Sequence, residues 1–171
     1  MESRVLYEET TGWAGWVHPL ILLTVLAAVF PLAELATGKV WGEEGAMPVW
    51  AAILCLAIGF GLPISLYSFM GRLISRVRPD GLDIRWGYLE VIKKRIPFTE
   101  VESACSATYC PMLDFGGWGI RVGTNKKRAW TVRGNRALLL HLKDGTQFYL
   151  GSDKPERILQ WVNSAMKRSE V

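Results

Sequence analysis

The sequence predicts an α-helical membrane hairpin followed by a mostly-β soluble domain with a closing helix, and three observations carry that reading. Charge is split along the chain: residues 1–71 hold two basic and six acidic side chains, whereas residues 72–171 hold eighteen and ten. Two long apolar runs lie in the first part, WVHPLILLTVLAAVFPLAELA (16–36) and PVWAAILCLAIGFGLPISLYSFM (48–70). Short strand-like runs punctuated by turn residues then fill the second part and end in one amphipathic stretch.

At a rise of about 1.5 Å per residue, each apolar run matches a hydrocarbon core of about 30 Å. Trp13, Trp16, Trp41, Trp50 and Tyr67 flank the runs as interfacial aromatic belts do. The leader, with Glu2, Glu8 and Glu9 against Arg4, argues against a cleaved secretory signal. His18 and Glu34 sit near the ends of the first run, and Pro19, Pro31 and Pro63 predict bends. Ala51, Cys55 and Gly59 form a small-residue stripe whose expected partner is the first helix, across a ten-residue loop (TGKVWGEEGA). Arg72, Arg76 and Arg78 crowd the exit of the second run, while the loop offers Lys39 beside Glu43 and Glu44. By the positive-inside rule both termini are expected on the cytoplasmic side. The expected organisation is an N-terminal cytoplasmic segment (1–15), the hairpin (16–70), a basic linker (71–79) and a cytoplasmic domain (80–171).

After Pro79-Asp80-Gly81, seven strands are predicted: 82–86, 88–94, 101–107, 119–123, 129–132, 137–142 and 146–151. Gly87, Gly134-Asn135 and Asp144-Gly145 supply the turns of an antiparallel meander. In SDKPERILQWVNSAMKRS, Asp153 is a cap candidate, Pro155 suits the first turn and Glu156 a capping box; Ile158, Leu159, Val162, Ala165 and Met166 form one apolar face. Strands curling into a partly open barrel plugged by this helix would provide a small core.

The stretches PDGLDIRWGYLEVIKKRIPFTEVES, GGWGIR and LKDGTQFYLGSDKPERILQWV, set after two apolar runs, resemble the bacterial membrane proteins that carry a pleckstrin-homology-like (PH-like) domain. The resemblance implies a PH-like seven-stranded partly open barrel capped by a C-terminal helix, integral to a bacterial inner membrane. In lipid-binding members of that fold, basic side chains on the first hairpin grip inositol phosphates; Arg85 and Lys93-x-Arg95 match that pattern loosely, and the short turn near Gly87 departs from it.

No constellation of nucleophile, base and charge stabiliser stands out, so a non-enzymatic protein without cofactor is expected. There is no G-x-S-x-G, and Gly117-Trp118-Gly119 lacks the rest of a phosphate loop. His141 falls on the opposite strand face from Leu140 and Leu142. Cys55, Cys105 and Cys110 with only His18 and His141 do not make a zinc set.

The basic residues are the remaining candidates. A first hairpin turning at Gly87 would set Lys93 opposite Gly81 and Arg95 opposite Pro79, so that Arg72, Arg76, Arg78, Lys93, Lys94 and Arg95 would form one basic collar facing anionic lipid headgroups. Trp118, Arg121, Lys126, Lys127 and Arg128 make a second patch, of the aromatic-plus-arginine kind suited to a protein partner. The bland alternative is that all of these are solvated hairpin charges. The expected function is a membrane-anchored binding or assembly module contacting lipid headgroups, a membrane-protein partner or a second copy of itself. The alternative is an accessory subunit of a membrane enzyme or transporter. A tethered domain argues against nucleic acid.

Overall fold

The structure, a computed structural model, describes residues 4–13, 15, 17–37 and 48–169. The side chains of Ala28, 30–37, Val49, Ala52, Met70 and Ser169 lie outside that description, as does the loop bearing Lys39, Trp41, Glu43 and Glu44, so the charge contrast used for orientation falls outside the described residues, together with Trp16, Pro31 and Glu34. The chain forms two compact units, Ala14–Ser68 and a second made of Met1–Trp13 with Phe69–Val171.

In the first unit, α1 (Val17–Thr37) is followed by α2 (Val49–Leu56), a π-helical turn (Ala57–Gly61) and α3 (Leu62–Met70). Among the described residues no helix is long and apolar enough to cross a membrane, which overturns the expected two-span hairpin. The second run is not one regular α-helix: a π-turn ahead of Pro63 divides it into α-helices of eight and nine residues, each about 12–14 Å long. α1 includes His18, Pro19 and Thr24 in its first turns. The resemblance to two-span PH-like membrane proteins and the inner-membrane placement fall with the hairpin. Cys55 and Gly59 of the small-residue stripe line a groove with Thr24 and Ala27 of α1.

Among the described residues the second unit holds nine strands where seven were expected. β1 (Tyr7–Gly12) and β2 (Arg72–Arg78) come from the stretches read as an N-terminal segment and a basic linker; β3 (Gly81–Trp86) and β4 (Ile92–Pro97) complete an antiparallel sheet in the order β1-β2-β3-β4. β2 was hidden by its arginines; Leu73, Ser75 and Val77 alternate onto the core face, and Ile74 and Arg78 are buried on the other face as well. After a 3₁₀ turn (Phe98–Glu100) come β5 (Val101–Thr108), α4 (Pro111–Phe115), β6 (Gly119–Val122), β7 (Lys127–Thr131), β8 (Arg136–Leu142) and β9 (Gln147–Gly151). These strands order as β5-β8-β9-β7-β6, with β9 inserted parallel to β7, so the second sheet is not the expected meander. The two sheets do not close into a barrel: β1, β4, β5 and β6 are all edges.

One core joins both sheets. Leu73, Val77, Leu82, Ile84, Trp86 and Ile96 from the first sheet meet Trp130, Leu138, Leu140, Phe148 and Leu150 from the second, and the Ile158, Val162 and Ala165 face of α5 (Pro155–Ser169) packs on them. α5 lies against β1, β2, β5 and β8, so β4 and β6 are the sheet edges it leaves. Glu9 ties β1 to this helix: its carboxylate accepts from Ser152 Oγ (2.8 Å) and from the backbone N–H groups of Asp153 (2.8 Å) and Lys154 (3.3 Å). Asp153, the expected cap, instead pairs with Arg133.

Candidate functional site: two basic faces with opposite fates

The first hairpin does not turn at Gly87 alone. Residues 87–91 form the loop, with positive φ at Gly87 (79°) and Glu90 (49°), and Tyr88, Leu89 and Val91 are exposed rather than paired. The register therefore slides by four residues from the expected one: Lys93 lies opposite Arg85 and Arg95 opposite Asp83. Gly81 stands opposite Pro97, where an added Cβ would approach Ile96 O to 2.7 Å, so glycine permits the crossing.

That register disperses the collar. Glu8, Arg76, Asp83 and Arg95 occupy one row across all four strands, alternating in sign. Arg76 Nε donates to the Glu8 carboxylate at 2.6 Å, and that hydrogen bond raises the arginine's pKa further. Arg78, largely buried, reaches Asp83 at 2.6 Å, and Arg95 bridges Asp80 and Asp83. Arg85 pairs with Glu90, whose pKa falls below the usual carboxylate value chiefly through that hydrogen bond. Arg72 lies 5.9 Å from the Tyr88 ring centroid. Three of the six collar residues, Arg76, Arg78 and Arg95, thus pair with carboxylates of the same domain, which makes the Glu8–Arg76–Asp83–Arg95 row an internally neutralised ladder. Lys93 stays exposed on that face.

Lys94 goes elsewhere. It stands opposite Ile84 and so points to the core face of edge strand β4, where its ammonium lies over the Phe148 ring at 5.1 Å from the centroid. Phe148 is fully buried, and Arg128 of β7 is its register partner on the neighbouring strand. Burial, then the like charge of Arg128, lowers the Lys94 pKa from the ordinary lysine value; Glu100 and Asp144 act the other way without reaching ion-pair distance.

The second basic patch surrounds edge strand β6. Arg128 stands opposite Val122, and Trp130 opposite Ile120, so Ile120 and Val122 share the face of Arg128; Val122 is 79% exposed. Just before them, α4 presents Met112 and Leu113, the latter 87% exposed, while Phe115 turns inward against Tyr109 and Tyr149. Asp114 accepts from the Cys110 N–H at 2.7 Å and Gly116, at φ 67°, ends the turn. Trp118, half in solvent, donates from Nε1 to Gly134 O (2.8 Å), and Arg121 donates to Trp118 O (3.2 Å). The β6–β7 turn carries positive φ at Asn125 and Lys126, and the Lys126 ammonium donates to Asp144 O at 2.8 Å. Lys127 is half-buried and Arg128 exposed.

The structure divides the second patch between two sheet faces: Arg121 and Lys127 share one face of the β6–β7 pair, and Arg128 lies on the other with exposed Ile120 and Val122, while exposed Met112 and Leu113 of α4 lie just before β6 in the chain. The alternation in GIRVG was the available signal for Ile120 and Val122. What could not be read was that β6 would be an edge. His141 is half-buried between Ser103 and Gln147 at the strand pairings, and Cys55, Cys105 and Cys110 are free thiols. Among the described residues no group of histidine, cysteine and carboxylate side chains could hold a metal ion. The sequence matches no protein-family model, and no curated protein is similar to it.

Proposed function

We propose that this protein is a non-enzymatic binding module whose working surface is the open edge of β6 with α4 and the surrounding basic side chains. The observation that carries the reading is an unpartnered strand edge whose exposed Ile120 and Val122 share one sheet face with Arg128 while Arg121 projects from the other, with neither arginine in an ion pair among the described residues. Natural proteins blunt an exposed edge with charge or cover it. Here the residues facing out from the edge are mostly apolar, which fits strand addition: backbone hydrogen bonds supply affinity and alternate side chains supply choice. Charge complementarity selects the occupant as an extended protein segment alternating apolar and acidic residues. The neutralised ladder of the first sheet offers no comparable free charge for an anionic lipid surface.

A photo-crosslinking amino acid at Val122, introduced into the full chain in the cells that make it, tests this. A discrete protein adduct is expected, lost when Arg121 and Arg128 are both changed to Glu. Absence of any adduct, or one indifferent to that charge reversal, would refute the reading.

A further inference from the structure

The helical unit holds a groove that the β6 reading does not use. Where the start of α1 meets the end of α3, a cavity of about 270 Å³ lies near the lower end of the small-molecule range. Its polar lining is confined to one end: His18 in the first turn of α1, and Tyr67 and Ser68 in the last turns of α3. Further along, Ile21 and Val25 of α1 face Pro63 and Ile64 of α3, and these carry only hydrocarbon. Pro63, the one buried residue of the lining, closes the apolar end.

His18 is held in place at the polar end. Its ring meets that of Tyr67 edge to face, with centroids 6.0 Å apart, and its Nδ1 lies 3.3 Å from Gly15 O. A carbonyl oxygen only accepts, so Nδ1 carries the proton and Nε2 is left for a second partner. The groove bearing Cys55 and Thr24 is larger, about 360 Å³, and shows what distinguishes this one. Thr24 Oγ1 there already donates to Ile21 O at 2.8 Å, so that groove gives a ligand little to orient by.

We infer that the His18–Tyr67–Ser68 groove binds a medium-chain fatty acid, its carboxylate at the polar end and its alkyl chain along Ile21, Val25, Pro63 and Ile64. The match is one of polarity and of hydrogen-bond count. A carboxylate brings two oxygens with about four lone-pair sites, enough for an imidazolium and two hydroxyl donors together, whereas an alcohol brings a single oxygen. From His18 to Val25 the groove follows about 10 Å of helix, a length that suits a single chain of medium size.

The test uses the fact that His18 and His141 are the two histidines of the chain. The full-length protein, with carbon-labelled histidine, is followed by proton–carbon NMR of the histidine rings as sodium octanoate is added at constant pH and ionic strength. The His18 signals are expected to shift saturably, while those of His141, on β8 of the other unit, stay in place. Ile64→Trp, at a side chain that is 60% exposed, fills the groove from its rim and should abolish the shift. Ser68→Ala should weaken octanoate several-fold, and octanol should bind several-fold more weakly than octanoate. No saturable shift at His18, equal shifts at both histidines, octanol as tight as octanoate, or an unchanged midpoint in Ile64→Trp would each overturn the fatty-acid groove. Circular dichroism and the His141 signals check that each variant is folded; if Ile64→Trp is not, Ser68→Ala and the octanol comparison still decide.

Discussion

The outer face of the first sheet and the open edge of the second start from the same material, clusters of arginine and lysine on short strands, and end in different states. On the first sheet every arginine of the Glu8–Arg76–Asp83–Arg95 row, and Arg78 beside it, meets a carboxylate from a neighbouring strand. Around β6 the arginines meet backbone carbonyls or solvent, and the apolar side chains between them are exposed. A basic cluster in a sequence is thus no guide to a binding surface until strand register says which acidic residues stand across from it.

The most direct way to break this comparison is at the ladder's buried centre. Asp83→Ala strands the largely buried Arg78 guanidinium and removes a contact of Arg95, and should cost about 3 kcal/mol or more in a urea unfolding titration. An Asp83→Ala variant within 0.5 kcal/mol of wild type, on the order of an ordinary surface change, would mean the ladder is not structural. Next in size, Glu9→Ala removes the acceptor for Ser152 and two N–H groups ahead of α5 and should cost about 1–2 kcal/mol in the same assay.

At the β6 edge the expected effects on stability are small and of opposite sign. Lys94 has a folded pKa below its unfolded value, so the unfolded chain binds more protons between the two, and its contribution is favourable only above the unfolded value and is lost as pH falls through the folded one. Lys94→Met should therefore leave the domain as stable or slightly more stable at neutral pH in the same urea titration. A marked loss of stability would make Lys94 a structural cap over Phe148. Smallest of all is the acid limb of Glu90: its lowered pKa means that the Arg85 pair supports the fold above the usual carboxylate range and is lost as pH falls through the folded value. The acid slope of a pH-dependent unfolding curve should flatten slightly in Glu90→Gln.

Much of the second unit was legible in the sequence. The period change after Asp153, the apolar face from Ile158 to Met166 and the strands around 82–86, 101–107 and 137–142 all follow from hydrophobic pattern and turn residues, most plainly where the buried positions alternate in β3, run continuously in β8 and recur at helical spacing in α5. β1 and β2 escaped because their polar residues belong to a ladder whose two sides lie nearly seventy residues apart, a pairing that local pattern cannot reveal. The register of Lys93 and Arg95 escaped because Glu90 accepts a positive φ that would ordinarily be assigned to glycine or asparagine, lengthening the loop. The membrane hairpin was read from average apolarity; the π-turn ahead of Pro63 depends on local backbone geometry that an average conceals. At the candidate site, residue types were visible, but the edge position of β6 and the seat of Lys94 over Phe148 are products of topology.

The central claim is that binding uses the β6 edge and not the charged ladder. Parallel photo-crosslinking from Val122 and from Arg76 in the full-length protein tests it most directly. The account predicts a discrete partner adduct from position 122 and none from position 76; adducts from position 76 alone, or equal ones from both, would contradict it.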